Sequence, residues 1–189
     1  MPYQEPRLQS SFAINNLGET IYNKTLELNP ALVVEFGALH GYSTHSLIQA
    51  LGELGGQRTL VSVDLFEDYP YNNCTQQQYG SNLSALIECL PSVSHVVIKS
   101  DIISNLPELS RLYPSPDLLF VDISNDGGKL IKICEYYNCP IMFEGGTSER
   151  DSVQWMIDYG MKPISSIRQK GINFTVIDER FPSLSLTNA

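Results

Sequence analysis

The sequence predicts an α/β fold built on a mostly parallel sheet of seven strands, the last two forming an antiparallel hairpin. Three observations carry that expectation. Short apolar runs alternate with segments of helical periodicity, five strands in all. The first run, Ala31-Leu-Val-Val34, passes through an acid and two glycines into a helical pattern that opens at Ser43-Thr44. Near the C-terminus, two β-rich runs, Ile164–Arg168 and Ile172–Ile177, are separated only by Gln-Lys-Gly, a hairpin arrangement.

Composition bounds the answer. A chain of 189 residues suits one domain around one core. We divide it into an N-terminal arm, 1–13, and a single domain, 14–189. A 42% hydrophobic and 17% charged composition is that of a globular protein rather than a disordered one. The formal net charge of −9, with no basic run to offset it, argues against nucleic acid as a partner. No apolar run approaches the ~18 residues of a membrane span, and the N-terminus carries no secretory h-region. Cys74, Cys89, Cys134 and Cys139 form no C-x-x-C, which disfavours zinc. They read as reduced thiols of a cytoplasmic protein.

Residues 1–12 are polar with two prolines and read as a loose arm. Ile14, Leu17, Ile21 and Leu28 share a helical stripe that Asn29-Pro30 ends. The first strand, Leu32–Phe36, leads through the glycine turn to a helix from Ser43 to about Leu54, stopped by Gly55-Gly56. The second strand, Thr59–Val63, ends in Asp64, which lies 23 residues past Gly41. That is close to the spacing at which an acid meets a ribose in nucleoside-binding α/β folds, though a loop or cap acid looks the same in sequence. A long connection follows, carrying Phe66, Tyr69 and Tyr71. It can line an acceptor pocket or pack on itself. Helix about Gln76–Leu90, strand His95–Ile98 and helix Ile103–Leu112 come next, with Lys99-Ser-Asp-Ile102 between the last two. Strand Asp117–Val121 ends in Asp122. Helix Gly127–Tyr137 leads to strand Pro140–Phe143, which ends in Glu144-Gly145-Gly146. A helix about Glu149–Tyr159, with Trp155 in the core, precedes the hairpin.

A strand, a glycine turn and a helix N-terminus in that order make a ligand cradle, because helix-end amides point outward. The dinucleotide fingerprint G-x-G-x-x-G fails here. Counting from Gly37, its second and third glycines fall on Leu39 and Tyr42. A leucine there crowds a pyrophosphate. No G-x-x-x-x-G-K-[ST] is present either.

What stands is Glu35-Phe-Gly-Ala-Leu-His-Gly-Tyr-Ser43, and it resembles the first motif of class I S-adenosylmethionine (SAM)-dependent methyltransferases. It is most similar to the catechol and caffeoyl-CoA O-methyltransferase group, whose turn reads E-[LI]-G-x-x-x-G-Y-S. The resemblance implies a three-layer Rossmann-like sandwich and a SAM site of Glu35, Gly37, Ala38, Leu39, Gly41, Tyr42 and Ser43. It places Asp64 with Leu65 at the ribose, and Asp101 with Ile102 at the adenine edge, with Ser100 where glycine is usual. Asp101 reads equally as a helix cap. The run Pro116-Asp-Leu-Leu-Phe-Val-Asp122 is similar to the group's F-D-x-[IV]-F-[IL]-D, which brings Asp122 to the cofactor.

In the metal-dependent members, Asp122 and Glu144 match two Mg²⁺ positions, while Gly145 replaces an Asn ligand. The group's lysine, three residues after the strand-four acid, is Asn125 here, and the nearest lysine is Lys129. Asp122, Glu144 and His40 are therefore the candidate catalytic groups, with Asp126 as a further base. His45 and His95 have no partner legible in the sequence. Two functions follow. One is methyl transfer from SAM to a small-molecule acceptor, oxygen first. The other is a SAM-binding module that has lost the chemistry. The resembled group also includes dimers, so a homodimer is part of the expectation.

Overall fold

A computed structural model describes residues 2–10, 17–70, 73–123, 127–145, 163–169 and 172–177. Helix α1 (Leu17–Leu28) leads into β1 (Leu32–Phe36), and α2 (Tyr42–Leu54) into β2 (Arg58–Asp64). A short 3₁₀ turn (Phe66–Asp68) comes before α3 (Gln76–Cys89), which leads to β3 (Val93–Lys99). Then come α4 (Leu106–Leu112), β4 (Leu118–Val121), α5 (Gly127–Tyr136) and β5 (Ile141–Gly145). The five strands are parallel and lie in the order β3-β2-β1-β4-β5. Strands β6 (Pro163–Gln169) and β7 (Ile172–Ile177) pair antiparallel, and β7 lies antiparallel against β5. The expected helix over 149–159, with Trp155, lies outside the described residues, as does Ile14.

The apolar runs become strands because both faces of the sheet are covered. Side chains alternate across a strand, so each strand divides between two cores. Val34, Phe36, Val61, Val63, Leu119 and Val121 pack under α4 and α5. Val33, Leu60, Leu118, Phe120 and Met142 pack under α1 and α2. Each fully buried aliphatic side chain of this kind contributes about 1.5–3 kcal/mol. That face also carries polar strand residues, among them Glu35, Ser62 and His95.

Element ends follow local chemistry. β4 starts after Asp117, because its Oδ2 accepts from the Ala31 and Leu32 amides (2.9 and 2.8 Å) and staples it to β1. α4 starts three residues later than periodicity suggests. The Asp101 carboxylate accepts from Ser104 N (2.7 Å) and holds residues 101–105 in a turn. The arm is anchored where the sequence suggests looseness. Tyr3, Gln4 and Glu5 bond to side chains of α2, and the Tyr3 ring lies 5.2 Å from that of Tyr22.

The chain runs β1 to β3 outward on one side, then returns to β4 on the other, so a topological switch lies between β1 and β4. Their ends are sealed against each other there. Asp122 N donates to Phe36 O (2.8 Å), while on the other side Gly37 N donates to Val63 O of β2 (2.9 Å). Gly37 has φ +88°, and a Cβ on it would fall 2.1 Å from the Asp122 carbonyl oxygen. Gly37 therefore permits a close approach to the Asp122 backbone, just past the end of β4. Gly80 is its opposite: it sits inside α3, and a Cβ on it would meet nothing within 4 Å.

Gly37→Ala is expected to destabilise the protein by more than about 2 kcal/mol, through strained φ and the backbone clash. Gly80→Ala should stabilise it by about 0.5–1 kcal/mol, by removing chain entropy from the unfolded state. Thermal unfolding checks both, since each kcal/mol moves Tm by about 2–4 °C at this size.

Candidate functional site

The junction of β1 and α2 is a turn held by positive φ at Gly37 (+88°), Leu39 (+47°) and Gly41 (+92°). Gly41 N closes it onto Ala38 O at 2.8 Å. The turn is pinned by Asp64, at the end of the neighbouring strand. Asp64 Oδ2 accepts from Ala38 N (2.7 Å) and Leu39 N (3.0 Å), and Oδ1 accepts from Phe66 N (2.6 Å). A carboxylate has about four acceptor positions, so three are taken and one, on Oδ1, remains. The expected ribose role of Asp64 is thereby limited to what that one position can accept. Asp64 holds the turn first and has room for a single further donor.

Glu35 is corrected more sharply. Its side chain is fully buried, pointing to the helix face beneath the turn rather than outward. Ser43 Oγ donates to Oε1 (2.7 Å), while Thr44 Oγ1 (2.7 Å) and Ser62 Oγ (2.6 Å) donate to Oε2. Ser62 Oγ also lies 3.0 Å from His95 Nε2, and Tyr79 Oη donates to Thr44 Oγ1 (3.1 Å) and lies 3.2 Å from the same His95 nitrogen. One polar network thus ties β1, α2, β2, α3 and β3 together. Burial pushes the Glu35 carboxyl up to about 7, against the pull of its three hydroxyl donors, with Asp64 adding a smaller upward push. Burial also lowers His95 to about 4, so its imidazole is neutral near pH 7. Sequence reasoning missed Ser62, Tyr79 and His95. The available signal was a serine inside Leu60-Val-Ser-Val63, a polar residue in a buried run.

Ser43 and Tyr42 also turn inward. Ser43 Oγ is spent on Glu35, and Tyr42 is 2% exposed, with its hydroxyl donating to Glu5. What they can offer a ligand is backbone. α2 has Gly41 as its N-cap and no side-chain cap, while α3 has a full capping box from Thr75 and Gln78. No N-cap side chain serves the first turn of α2, and a helix end of this kind favours an anionic group.

Around this end the other expected residues fall into place or out of it. Leu39 is 42% exposed at the tip of the turn. His40 is partly exposed, with Nε2 2.9 Å from Asn73 Oδ1, and its carbonyl accepts from Asn82 Nδ2 (3.0 Å). His45 pairs with Gln49 (2.9 Å). Leu65 is half-buried beside Asp64. Asp101 is the turn cap described above, and hydrogen bonds from Ser104 hold its carboxyl below the usual range. Ile102 is core, packed with Val34 and Phe36, so only its backbone can border a ligand. Asp122 is half-buried at the switch point. Val121 pairs with Phe143, so Asp122 and Glu144 are the next residues on adjacent parallel strands. Asn125 and Asp126 lie outside the described residues. No group of three His, Cys, Asp or Glu able to hold a metal occurs among the described residues, and no described helix is long and apolar enough to cross a membrane. None of the four cysteines is in a disulfide.

A family profile described as "Methyltransferase domain" matches residues 34–147, which span the turn, Asp64, Asp101, Asp122 and Glu144. Among solved structures, an O-methyltransferase from Bacillus cereus in complex with S-adenosylhomocysteine (SAH) is 15% identical, with a TM-score of 0.63 over 93% of this chain and 84% of that one. The O-methyltransferase TomG from Streptomyces achromogenes, in complex with SAM, is 18% identical, with a TM-score of 0.60 over 87% and 80%. A methyltransferase from Geobacter sulfurreducens is 13% identical, with a TM-score of 0.60 over 87% and 79%. At these identities the likeness is one of fold. No curated protein matches the chain in sequence.

Because the folded Glu35 has the higher pKa, the native state holds a proton between about pH 4.5 and 7 that the unfolded chain has released. Its ionisation therefore lowers stability as pH rises through that window. Tm measured from pH 5 to 8 for wild type and Glu35→Gln should show the wild type losing ground to the variant as pH rises. A constant gap would show that Glu35 does not titrate there.

Proposed function

The chain belongs to the methyltransferase-domain family, and from that premise we propose that it is a SAM-dependent methyltransferase acting at oxygen on a small-molecule acceptor. The observation that carries the proposal is the uncapped N-terminus of α2 behind a turn pinned by Asp64. The residues present fit SAM. The first-turn amides at Tyr42 and Ser43 suit a carboxylate, the remaining Asp64 acceptor suits one ribose hydroxyl, and exposed Leu39 gives apolar cover. The Asp101 and Ile102 backbone borders the adenine in this reading, with Leu65 beside the ribose. Glu35 acts from beneath. The hairpin beside β5 completes the seven-stranded layout of the same reading.

SAM supplies a methyl group already activated on a sulfonium. The chain then has to bind, aim and remove a proton from the acceptor. Asp122 lies at the switch point, where open α/β sheets hold ligands. Glu144 on the adjacent strand and His40 across the turn are the groups we assign to proton removal. His40 is oriented by Asn73, which fixes its ring nitrogen. Mg²⁺ is poorly served. Two in-register carboxylate positions are followed by Gly145, which has no side-chain oxygen to complete a ligand set. Four cysteines outside any disulfide suit a reducing compartment such as the cytoplasm.

Asn125, at the position of the group's lysine, favours a second reading, a SAM-binding module without transfer. Transfer of labelled methyl to an acceptor library separates the two. Calorimetric titration with SAH, with and without Mg²⁺, tests what they share. Micromolar or tighter binding is expected, unchanged by Mg²⁺, and folded protein that fails to bind contradicts both. Asp64→Asn, which keeps one acceptor oxygen, should weaken SAH binding about tenfold, the scale of one charge-assisted hydrogen bond.

A further inference from the structure

The N-terminal arm and the cradle meet at Tyr42. This residue stands between Gly41, in left-handed conformation, and Ser43, whose hydroxyl is spent on Glu35. Its own side chain leaves the cradle and runs between α1 and α2. There its hydroxyl donates to Glu5 and accepts from Gly18 N at 3.3 Å. Tyr3 Oη donates to the other Glu5 oxygen (2.8 Å) and lies 3.2 Å from Ser46 Oγ. Gln4 and Gln49 exchange two hydrogen bonds, 2.9 Å from Gln4 N to Oε1 and 2.7 Å from Nε2 to Gln4 O.

These contacts form a built arrangement rather than a chance crossing. Tyr42, Ser46 and Gln49 are spaced i, i+4, i+7, one stripe along α2. α1 is notched where the arm passes: a Cβ on Gly18 would fall 2.2 Å from Tyr3 Oη and 2.9 Å from Tyr42 Oη. A phenol buried as deeply as Tyr42 costs free energy unless its hydroxyl is bonded, and the Glu5 carboxylate gives it a charge-assisted partner. Glu5 therefore fixes where Tyr42 sits, and through it the first turn of α2.

We infer that the arm is a positioning element for the cofactor cradle, with Glu5 as a positioning residue acting through Tyr42 on the α2 N-terminus. The inference rests on the SAM-binding reading above. It assigns the arm a consequence beyond stability: cofactor affinity depends on a carboxylate that need not touch the cofactor. Reciprocity requires the converse, that a bound cofactor tightens the arm.

The test uses the full chain in four forms: wild type, Glu5→Gln, Tyr42→Phe and the double variant. Gln49→Ala serves as a control, since it loosens the arm about two turns beyond Tyr42. Each is titrated with SAH by calorimetry, well below its unfolding temperature. Each single variant is expected to weaken SAH binding about five- to tenfold, the scale of a lost hydrogen bond to a charged group. The double variant should be no weaker than the worse single, because both remove the same link. Gln49→Ala should bind as the wild type does, whatever its Tm. Variants that lose Tm yet bind SAH like the wild type overturn the inference and leave the SAM reading standing; a wild type that does not bind overturns both. Should the variants fail to fold, hydrogen exchange on the wild type decides. Added SAH should slow exchange at Gly18 N, which donates to the Tyr42 hydroxyl, and unchanged exchange there contradicts the coupling.

Discussion

The buried carboxylate of Glu35 is the constraint on which the site depends. An acid on an apolar sheet face is costly, and the chain offsets that cost by aiming three hydroxyls at it from two directions. Two of those hydroxyls, on Ser43 and Thr44, belong to the first turn of α2. The third, on Ser62, belongs to the neighbouring strand. The helix that would present its amides to a ligand is therefore bolted to the sheet at the end that matters. Tyr79 and His95 extend the same network to α3 and β3, so the floor of the cradle is shared by five elements. Such a network rigidifies when every member is satisfied.

A second acid completes the frame from above. Asp64 gathers the Ala38, Leu39 and Phe66 amides, so the turns following β1 and β2 are held by one side chain. The two acids divide the labour. Glu35 sets the helix and Asp64 sets the loop, and between them lies the glycine-capped N-terminus of α2. The switch between β1 and β4 is sealed by Gly37 against the Asp122 backbone, which fixes Asp122 relative to the turn. In the proposed reading, function comes from rigid placement of backbone amides, the kind of pre-organisation that positioning catalysis requires.

Much of this was legible in the sequence, for physical reasons. The five parallel strands are covered on both faces and so read as plain apolar runs. The glycine turn announces itself because Gly37 and Gly41 adopt conformations that side chains resist. Parity counting even held the clue to Glu35. It shares a face with Val33, and that face is covered by helices, so its carboxylate had to be internal. The motif pattern pointed the other way, toward a ligand. What could not be read is what depends on distant pairing: the three amides that occupy Asp64, the partners of His95 on β2 and α3, and the arm residues that meet α2 some forty positions later. The start of α4 was missed for a local reason, the turn capped by Asp101.

The central claim is that the turn and the α2 N-terminus form the floor of a SAM site. The most direct measurement is amide NMR of labelled protein during SAH addition. The account predicts that the largest shifts fall on Leu39, Gly41, Tyr42 and Ser43, with smaller ones near Leu65 and Ile102, while the amides of β6 and β7 stay still. Saturable binding with those four amides unmoved, and shifts gathered elsewhere, would contradict it.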